Sequence, residues 1–349
     1  MISRDLRRAL VLAVAAAGFG AAAEPGLRPT GIPGQYAASV ALALGQNPRA
    51  TAATLAATLA REEWIARVEV TGPGYLTITV TPEALAGVAD TVTAEGPGCV
   101  TSDALAGDTV PAPPAGDPLS ASTWEKAKTA LAAQLTASLA AAAGATVAGL
   151  AATERKRLTL PAHAVSPGSP VPAAVSFAGR DAVTFTLARA IPGRPLRIDQ
   201  EIIARRVLGN PAYAVRYAHA RAASGLRWAA ASAGETTSSS SIAGSGGSSS
   251  REILLDALSW LPERVATAAR RGRPDEFARY LEDLANVTLD VLSSASHQGS
   301  AGRDWAAVPG SDRLTLARAA RTGLAAGLGL LGVSAPERLL TETYREQKL

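Results

Sequence analysis

Two tyrosines and an arginine occur at a spacing of four residues in the second half of the chain, at Tyr213, Tyr217 and Arg221. Residues four apart lie on one face of a helix, so the three side chains would project in one direction. Aromatic rings stack on unpaired bases of RNA, and an arginine continuing that face can reach a phosphate. Packing of the tyrosines against neighbouring helices explains the same spacing equally well, and the sequence leaves both alternatives open.

Four further arginines near the C-terminus form a second candidate binding surface. They are Arg313, Arg318, Arg321 and Arg338, of which Arg318 and Arg321 are about one helical turn apart. Guanidinium groups contact backbone phosphates, and each contact adds to the salt-dependent part of nucleic-acid affinity. A solvated polar helix face is the alternative.

Residue types that serve catalysis or metal binding are sparse. Cys99 is the only cysteine, which excludes an internal disulfide and a cysteine-cluster metal site. The histidines, His163, His219 and His297, form no pair at i, i+4 spacing, and we interpret His219 as structural. No phosphate-binding loop of the G-x-x-x-x-G-K-[ST] type occurs. We therefore predict no catalytic residue, no cofactor and no metal site.

Charge is unevenly distributed along the 349 residues. Residues 1–150 contain 9 basic and 12 acidic side chains, whereas residues 151–349 contain 25 basic and 18 acidic ones. The net charges are therefore −3 and +7. Most cations of the second half are arginines, which suit forked phosphate contacts. This distribution is compatible with a nucleic-acid partner of the C-terminal half.

The elements that would position these residues predict a mainly α protein with a small α+β N-terminal domain. In that domain, residues 1–95, helices are predicted over 3–19, 36–44 and 51–60, and strands over 66–70 and 75–80. Residues 96–198 are predicted to be a linker and a shortened remnant region. This region has a Pro/Gly-rich stretch to 118, an Ala-rich helix over 123–150, and β-like pieces at 173–177 and 182–187.

Residues 199–349 predict a C-terminal helical bundle. Its helices are expected over 199–207, 211–233, 251–271, 274–294 and 311–331, with loops at 234–250 and 296–309. The last helix has Leu324, Leu328 and Leu331 on one seam, which predicts burial of that side.

The first residues allow two interpretations. Arg4, Arg7 and Arg8 precede an apolar run over 9–17 and a small-residue stretch over 21–23, which is the outline of a secretory signal. An Ala-rich first helix of a folded domain is the interpretation we favour, and it predicts a cytoplasmic protein. Export is the alternative if residues 1–23 are a signal peptide. No apolar run is long enough to predict a membrane span.

Three stretches resemble arginyl-tRNA synthetases. GQYAASVAL at 34–42, followed by IARVEVTGPGYL at 65–76, looks like the N-terminal additional domain that contacts the tRNA elbow in that family. NPAYAVRYAHAR at 210–221 is similar to the helix that opens the family's DALR-type anticodon-binding domain. Residues 313–339, ending in GLGLLGVSAPERL, resemble its C-terminal helix and tail. The resemblance implies a helical bundle of the class I synthetase anticodon-binding type and tRNA as the partner.

Two departures from the family affect the expected function. Fewer than 90 residues lie between about 95 and 180, where the class I catalytic domain would be expected, and no His-Ile-Gly-His-type motif occurs. The aromatic run expected near the end of residues 278–292 is replaced by Thr288-Leu289-Asp290-Val291-Leu292. We therefore expect a tRNA-binding protein that is not an enzyme. A partner enzyme that uses tRNA is a further candidate partner. A protein–protein scaffold that has lost RNA binding is the alternative, and an active arginine–tRNA ligase is less expected.

Overall fold

Helices make up most of the computed structural model, which describes residues 1–19, 24–44, 47–148, 170–196, 198–231, 250–293 and 310–339. The helices are α1 (Ile2–Ala16), α2 (Ala41–Leu44), α3 (Pro48–Leu59), α4 (Pro82–Ala86), α5 (Val88–Glu95), α6 (Trp124–Ala142), α7 (Pro170–Ala178), α8 (Arg180–Ala188), α9 (Gln200–Ala204), α10 (Pro211–Ala231), α11 (Ser250–Ser259), α12 (Leu261–Arg271), α13 (Pro274–Ser293) and α14 (Gly310–Leu330). Short 3₁₀ turns cover Gly96–Val100 and Pro118–Ser120. The predicted fold class is confirmed.

A small antiparallel sheet lies near the N-terminus. Its strands are β1 (Arg28–Pro29), β2 (Gln35–Ala38), β3 (Ile65–Thr71) and β4 (Tyr75–Val80), in the order β1-β2-β4-β3. Tyr36 pairs with Ile78, and both side chains are fully buried. A separate two-stranded parallel ladder joins β5 (Thr109–Val110) to β6 (Thr146–Val147). The predicted strands at 66–70 and 75–80 are therefore confirmed as β3 and β4.

Three local predictions are wrong. The helix predicted over 36–44 begins as strand β2, because pairing with β4 outweighs the helical preference of its alanines. The β-like pieces at 173–177 and 182–187 are helices α7 and α8, separated at Gly179, whose φ is 86°. The helix predicted over 251–271 breaks at Trp260, since Pro262 in the first turn of α12 has no N–H to continue α11. The predicted loops at 234–250 and 296–309 lie almost entirely outside the described residues.

The N-terminal segment packs directly on the C-terminal helices. Arg7 of α1 donates from Nη2 to Glu263 of α12 at 2.6 Å and to Glu24 at 2.7 Å. The hydroxyl of Ser3 donates to the carbonyl of Ser259 at 2.6 Å, and Tyr36 shares a 2.7 Å hydrogen bond with the Ser259 hydroxyl. One cluster of buried apolar side chains extends through all three predicted domains. The boundaries near 95 and 198 stay predictions.

Helix α1 contributes to that core, since Leu6 and Leu10 are fully buried. This agrees with a first helix of a folded domain. Location in the cytoplasm, and export as its alternative, stay predictions. None of the helices within the described ranges is both long and apolar enough to cross a membrane.

Residues 99–105, in the region predicted to be a linker, pack into the core. Cys99, Val100 and Leu105 are buried, and the 3₁₀ turn at Gly96–Val100 packs on α14. Burial, with a smaller contribution from nearby Glu95, raises the pKa of the Cys99 thiol to about 12. No group of three or more His, Cys, Asp or Glu side chains suited to a metal ion occurs in the part of the chain that the structure describes.

The last helix packs on α10, α11 and α13 by one apolar side. Leu324, Leu328 and Leu331 are fully buried, as the sequence predicted. Glycines at the contact allow a close approach between helices. A Cβ built on Gly327 would lie 2.4 Å from Cδ2 of Leu281, which is itself fully buried. The α14–α13 contact therefore depends on the absence of a side chain at residue 327.

Gly327→Ala is expected to destabilise the protein, and Gly329→Ala to stabilise it. Overpacking a core costs ~1–3 kcal/mol, of which better helix propensity returns up to ~1 kcal/mol. Gly329 is exposed, and a Cβ there meets no atom within 4 Å, so only the propensity gain remains. Urea unfolding measures both free energies. Shifts of the same sign in the two variants would contradict the close α14–α13 contact.

Candidate nucleic-acid interface

Helix α10 presents the predicted aromatic and basic residues on one face. The rings of Tyr213 and Tyr217 stack on each other, with centroids 5.7 Å apart and planes inclined by 19°. Tyr217 also packs against the buried core, whereas Tyr213 borders an open groove. Arg221 is partly exposed one turn farther along. The structure therefore places Tyr217 against the core and the half-buried Tyr213 at the groove, and base stacking by these rings stays a prediction.

The tail that follows α14 crosses this helix and is held at several points. Gly332 ends α14 in the left-handed region, with φ 68°. The backbone N–H of Ser334 donates to Asp181 Oδ1 at 3.1 Å, and Arg227 Nη1 donates to the carbonyl of Glu337 at 2.9 Å. The carboxylate of Glu337 also forms an ion pair with Arg321 at 2.7 Å. Residues 333–339 thus connect α8, α10 and α14.

His219 contributes another of these contacts. Its side chain is buried, and its Nδ1 lies 3.0 Å from the carbonyl oxygen of Pro336, so Nδ1–H is the donor. Burial lowers the pKa of His219 below 6.5, although the hydrogen bond to Pro336 and the charge of Glu337 act in the opposite direction; Arg321 lowers it further. The structural interpretation of His219 is confirmed.

We expect the stability that His219 provides to be lost on acidification. Below pH 6.5 the unfolded chain protonates this imidazole while the folded chain still holds it neutral, so proton uptake favours unfolding. The free energy of unfolding of the wild type should fall, relative to His219→Gln, between pH 8 and 5.5. The two other histidines are present in both proteins and cancel in the difference. A difference that stays constant over this range would contradict the expectation.

A groove of about 510 Å³ lies between α7, α8, α9, the start of α10 and the tail. Its lining brings together two of the predicted residues, Tyr213 and Arg338. Four arginines that the sequence analysis did not single out also line it: Arg180, Arg205, Arg206 and Arg216. In the sequence, the adjacent pair Arg205 and Arg206 shortly before the 210–221 motif is the signal that could have indicated this groove.

Charge in the groove is predominantly positive. Asp181 is the one acidic residue in the described lining, and it forms an ion pair with Arg216 at 3.0 Å. Arg180 makes two 2.8 Å hydrogen bonds with Asp117. Arg205 and Arg338 are exposed and have no ion pair with any residue that the structure describes. Such a surface suits a phosphate, with the Tyr213 ring beside it.

Asn210 fixes the turn from which α10 begins. Its buried side-chain amide donates to the carbonyl of Ile203 at 2.8 Å and to that of Arg205 at 2.7 Å. Pro211 follows as the first residue of α10, where its missing N–H costs nothing. The Asn-Pro pair therefore ties Arg205 to the start of α10, and Arg205 and Tyr213 both line the groove.

Three of the remaining predicted arginines lie on α14 and Arg221 lies on α10, all outside the described lining of the groove. Arg321 is joined through Glu337 to Arg227 of α10, at 2.7 and 3.5 Å. Arg318 is exposed, and Arg313 is partly buried near the start of the helix. The predicted residues thus lie at the groove, farther along α10, and along α14.

Two protein-family models match the chain. The arginyl-tRNA synthetase N-terminal domain matches residues 27–80, and the DALR anticodon-binding domain matches residues 215–339. Among similar proteins, the arginine–tRNA ligase of Kineococcus radiotolerans is 36% identical over 165 residues, covering 47% of this chain and 29% of that protein. The ligase of Frankia alni is 37% identical, covering 47% of this chain and 30% of that protein. The chain therefore spans about a third of these relatives' length.

Among solved structures, Thermus thermophilus arginyl-tRNA synthetase matches with a TM-score of 0.65 and 14% identity, covering 97% of this chain and 100% of that one. This likeness concerns the fold, and it agrees with the anticodon-binding type of bundle expected for the C-terminal helices. The prediction that the chain is not an enzyme is wrong by these comparisons, because its relatives are named as ligases. Motifs missing from residues 96–180 were too narrow a basis for that prediction.

Proposed function

We propose that this chain, which contains an arginyl-tRNA synthetase N-terminal domain and a DALR anticodon-binding domain, binds tRNA through its C-terminal helices. The observation that supports this most is the groove, where five arginines and an accessible tyrosine ring converge from α8, α9, α10 and the tail. A loop of single-stranded RNA offers the matching groups, namely phosphates and unstacked bases.

Within the groove, Arg205 and Arg338 are the proposed phosphate contacts, because they are exposed and free of carboxylate partners among the described residues. Arg180 and Arg216 are held in place by Asp117 and Asp181, which orients their guanidinium groups while offsetting part of their charge. Tyr213 is the proposed stacking residue. Tyr217 supports its ring from the core side.

The α14 surface and Arg221 are proposed as a second line of contacts. Arg318 is exposed and accessible to a phosphate directly. Arg321 forms an ion pair with Glu337, so an RNA phosphate that binds Arg321 must displace the Glu337 carboxylate. Arg313 and Arg221 are partly exposed and complete this set. Because the α14 residues lie apart from the groove, they would contact a different stretch of the same RNA.

A protein–protein function is the second candidate, and a specific feature favours it. Four large apolar side chains are more than half exposed on α7, α9 and the turn before α10: Phe177, Ile202, Val207 and Leu208. Exposed apolar residues on elements that pack together, as α7 and α9 do, are typical of docking surfaces. A partner enzyme that uses tRNA would be able to bind this apolar surface while RNA occupies the adjacent groove.

Filter binding with unfractionated tRNA at about 50 and 200 mM salt tests the leading proposal. We expect measurable binding at low salt and an affinity that falls steeply with salt, with a slope of log affinity of about −0.7 for each phosphate contact. Competition with a duplex RNA that lacks loops, carried out without heparin, distinguishes binding to an RNA loop from general attraction to a polyanion. Folded protein that does not retain tRNA at 50 mM salt would refute the proposal and favour the protein–protein function.

A further inference from the structure

Trp228, near the end of α10, is the most exposed large apolar side chain in the described ranges, with 75% of its surface accessible. By contrast, Trp260 is 3% exposed and packs against Tyr36, with ring centroids 5.0 Å apart. Trp228 therefore has no comparable role in packing.

The position of Trp228 on the helix aligns it with the candidate residues described above. At about 100° per residue, Tyr213, Tyr217, Arg221 and Trp228 fall within an arc of roughly 80° on one side of α10. The stripe spans the sixteen residues 213–228, or about 22 Å along the axis. Trp228 lies about 16 Å beyond Tyr217, so the two rings cannot hold the same base.

Charge along this helix indicates what the indole would meet. The 21 residues of α10 include Arg216, Arg221 and Arg227 and no acidic residue. Arg227, next to Trp228, is fixed by the Glu337 carbonyl at 2.9 Å and faces its carboxylate at 3.5 Å. A cationic helix with exposed aromatic rings favours a polyanion with flat bases over an apolar protein segment.

We propose that Trp228 is a further base-stacking residue, which extends the RNA-binding surface along α10 to a second unpaired base. The proposal rests on the tRNA-binding function proposed above. The indole stacks on a base exposed in a tRNA loop, and Arg221 contacts a phosphate between that base and the one at Tyr213. A base presents an apolar face at every position, so this contact adds affinity with little dependence on sequence.

The test compares Trp228→Ala and Trp228→Phe with the wild type in filter binding with unfractionated tRNA. Trp228→Ala should weaken binding roughly 5- to 150-fold, equivalent to ~1–3 kcal/mol for one lost stack. The salt slope should not change, because no charge is removed. Trp228→Phe should retain most of the affinity. The matched control is Leu12→Ala, which truncates another exposed apolar side chain (69% accessible) on α1, outside the stripe, and should bind as the wild type does.

A second readout follows the indole itself. Titration with tRNA should quench the tryptophan fluorescence of the wild type more than that of Trp228→Phe, whose other four tryptophans are unchanged. Thermal unfolding should be the same for all three variants, since both truncated side chains are exposed. If wild type and Trp228→Ala bind tRNA equally, the inference fails and the proposed function stands. If the wild type does not bind tRNA, both fail.

Discussion

Replacing Glu263 by Ala is expected to lower the free energy of unfolding by about 3–5 kcal/mol. Glu263 and Arg7 have only 5% and 7% of their side-chain surfaces exposed, and three of their hydrogen bonds measure 2.6, 2.8 and 3.0 Å. Removing the carboxylate leaves a buried guanidinium with only the partly exposed Glu24 as its partner. A buried charge that keeps only this solvent-exposed partner costs more than a lost surface ion pair.

Two further variants make this result specific. Arg8→Ala removes an exposed ion pair from the same helix, the 2.9 Å contact with Asp103, and should cost less than about 1 kcal/mol. The double variant Arg7→Met/Glu263→Leu removes both buried charges together and should recover most of the loss. Urea unfolding at neutral pH gives the three free energies. A cost for Glu263→Ala no greater than that for Arg8→Ala would mean that α1 does not dock on α12 in solution.

The sequence predicted the helices best where a periodic apolar face coincides with a clear end signal. α14 is an example, with Leu324, Leu328 and Leu331 on the buried side and Gly332 after its last turn. Strand β2 was mistaken for a helix because its four residues, two of them alanines, become a strand only through pairing with β4, forty residues later. Whether such a segment forms a strand or a helix depends on its tertiary contacts, and local propensity does not include these contacts.

The candidate site could be predicted only in part, for a similar reason. Tyr213, Tyr217 and Arg221 belong to one helix, and their spacing alone predicts a shared face. The groove is assembled from residues near 180, 205, 216 and 338, which come together only in the folded chain. Spacing also cannot reveal that Glu337 forms an ion pair with Arg321. Because of this pair, a phosphate that binds Arg321 must displace a carboxylate.

The double variant Arg205→Gln/Arg338→Gln is expected to weaken tRNA binding about 5- to 150-fold, counting ~0.5–1.5 kcal/mol for each lost contact. Both side chains line the groove and are exposed, so their removal should leave the fold intact. Because two phosphate contacts are lost, the slope of log affinity against log salt should become shallower by about 1.4. The loss should apply to every tRNA, since phosphates are common to all of them.

The matched control removes the same charge elsewhere. Arg251→Gln/Arg271→Gln changes one arginine each on α11 and α12, both outside the groove and both in solvent-accessible ion pairs, with Asp312 and Glu276. If the protein attracted tRNA only through its net charge, the two double variants would weaken binding equally. Equal losses would therefore remove the groove as the binding site, whereas a loss confined to Arg205→Gln/Arg338→Gln places the RNA between α8, α9, α10 and the tail.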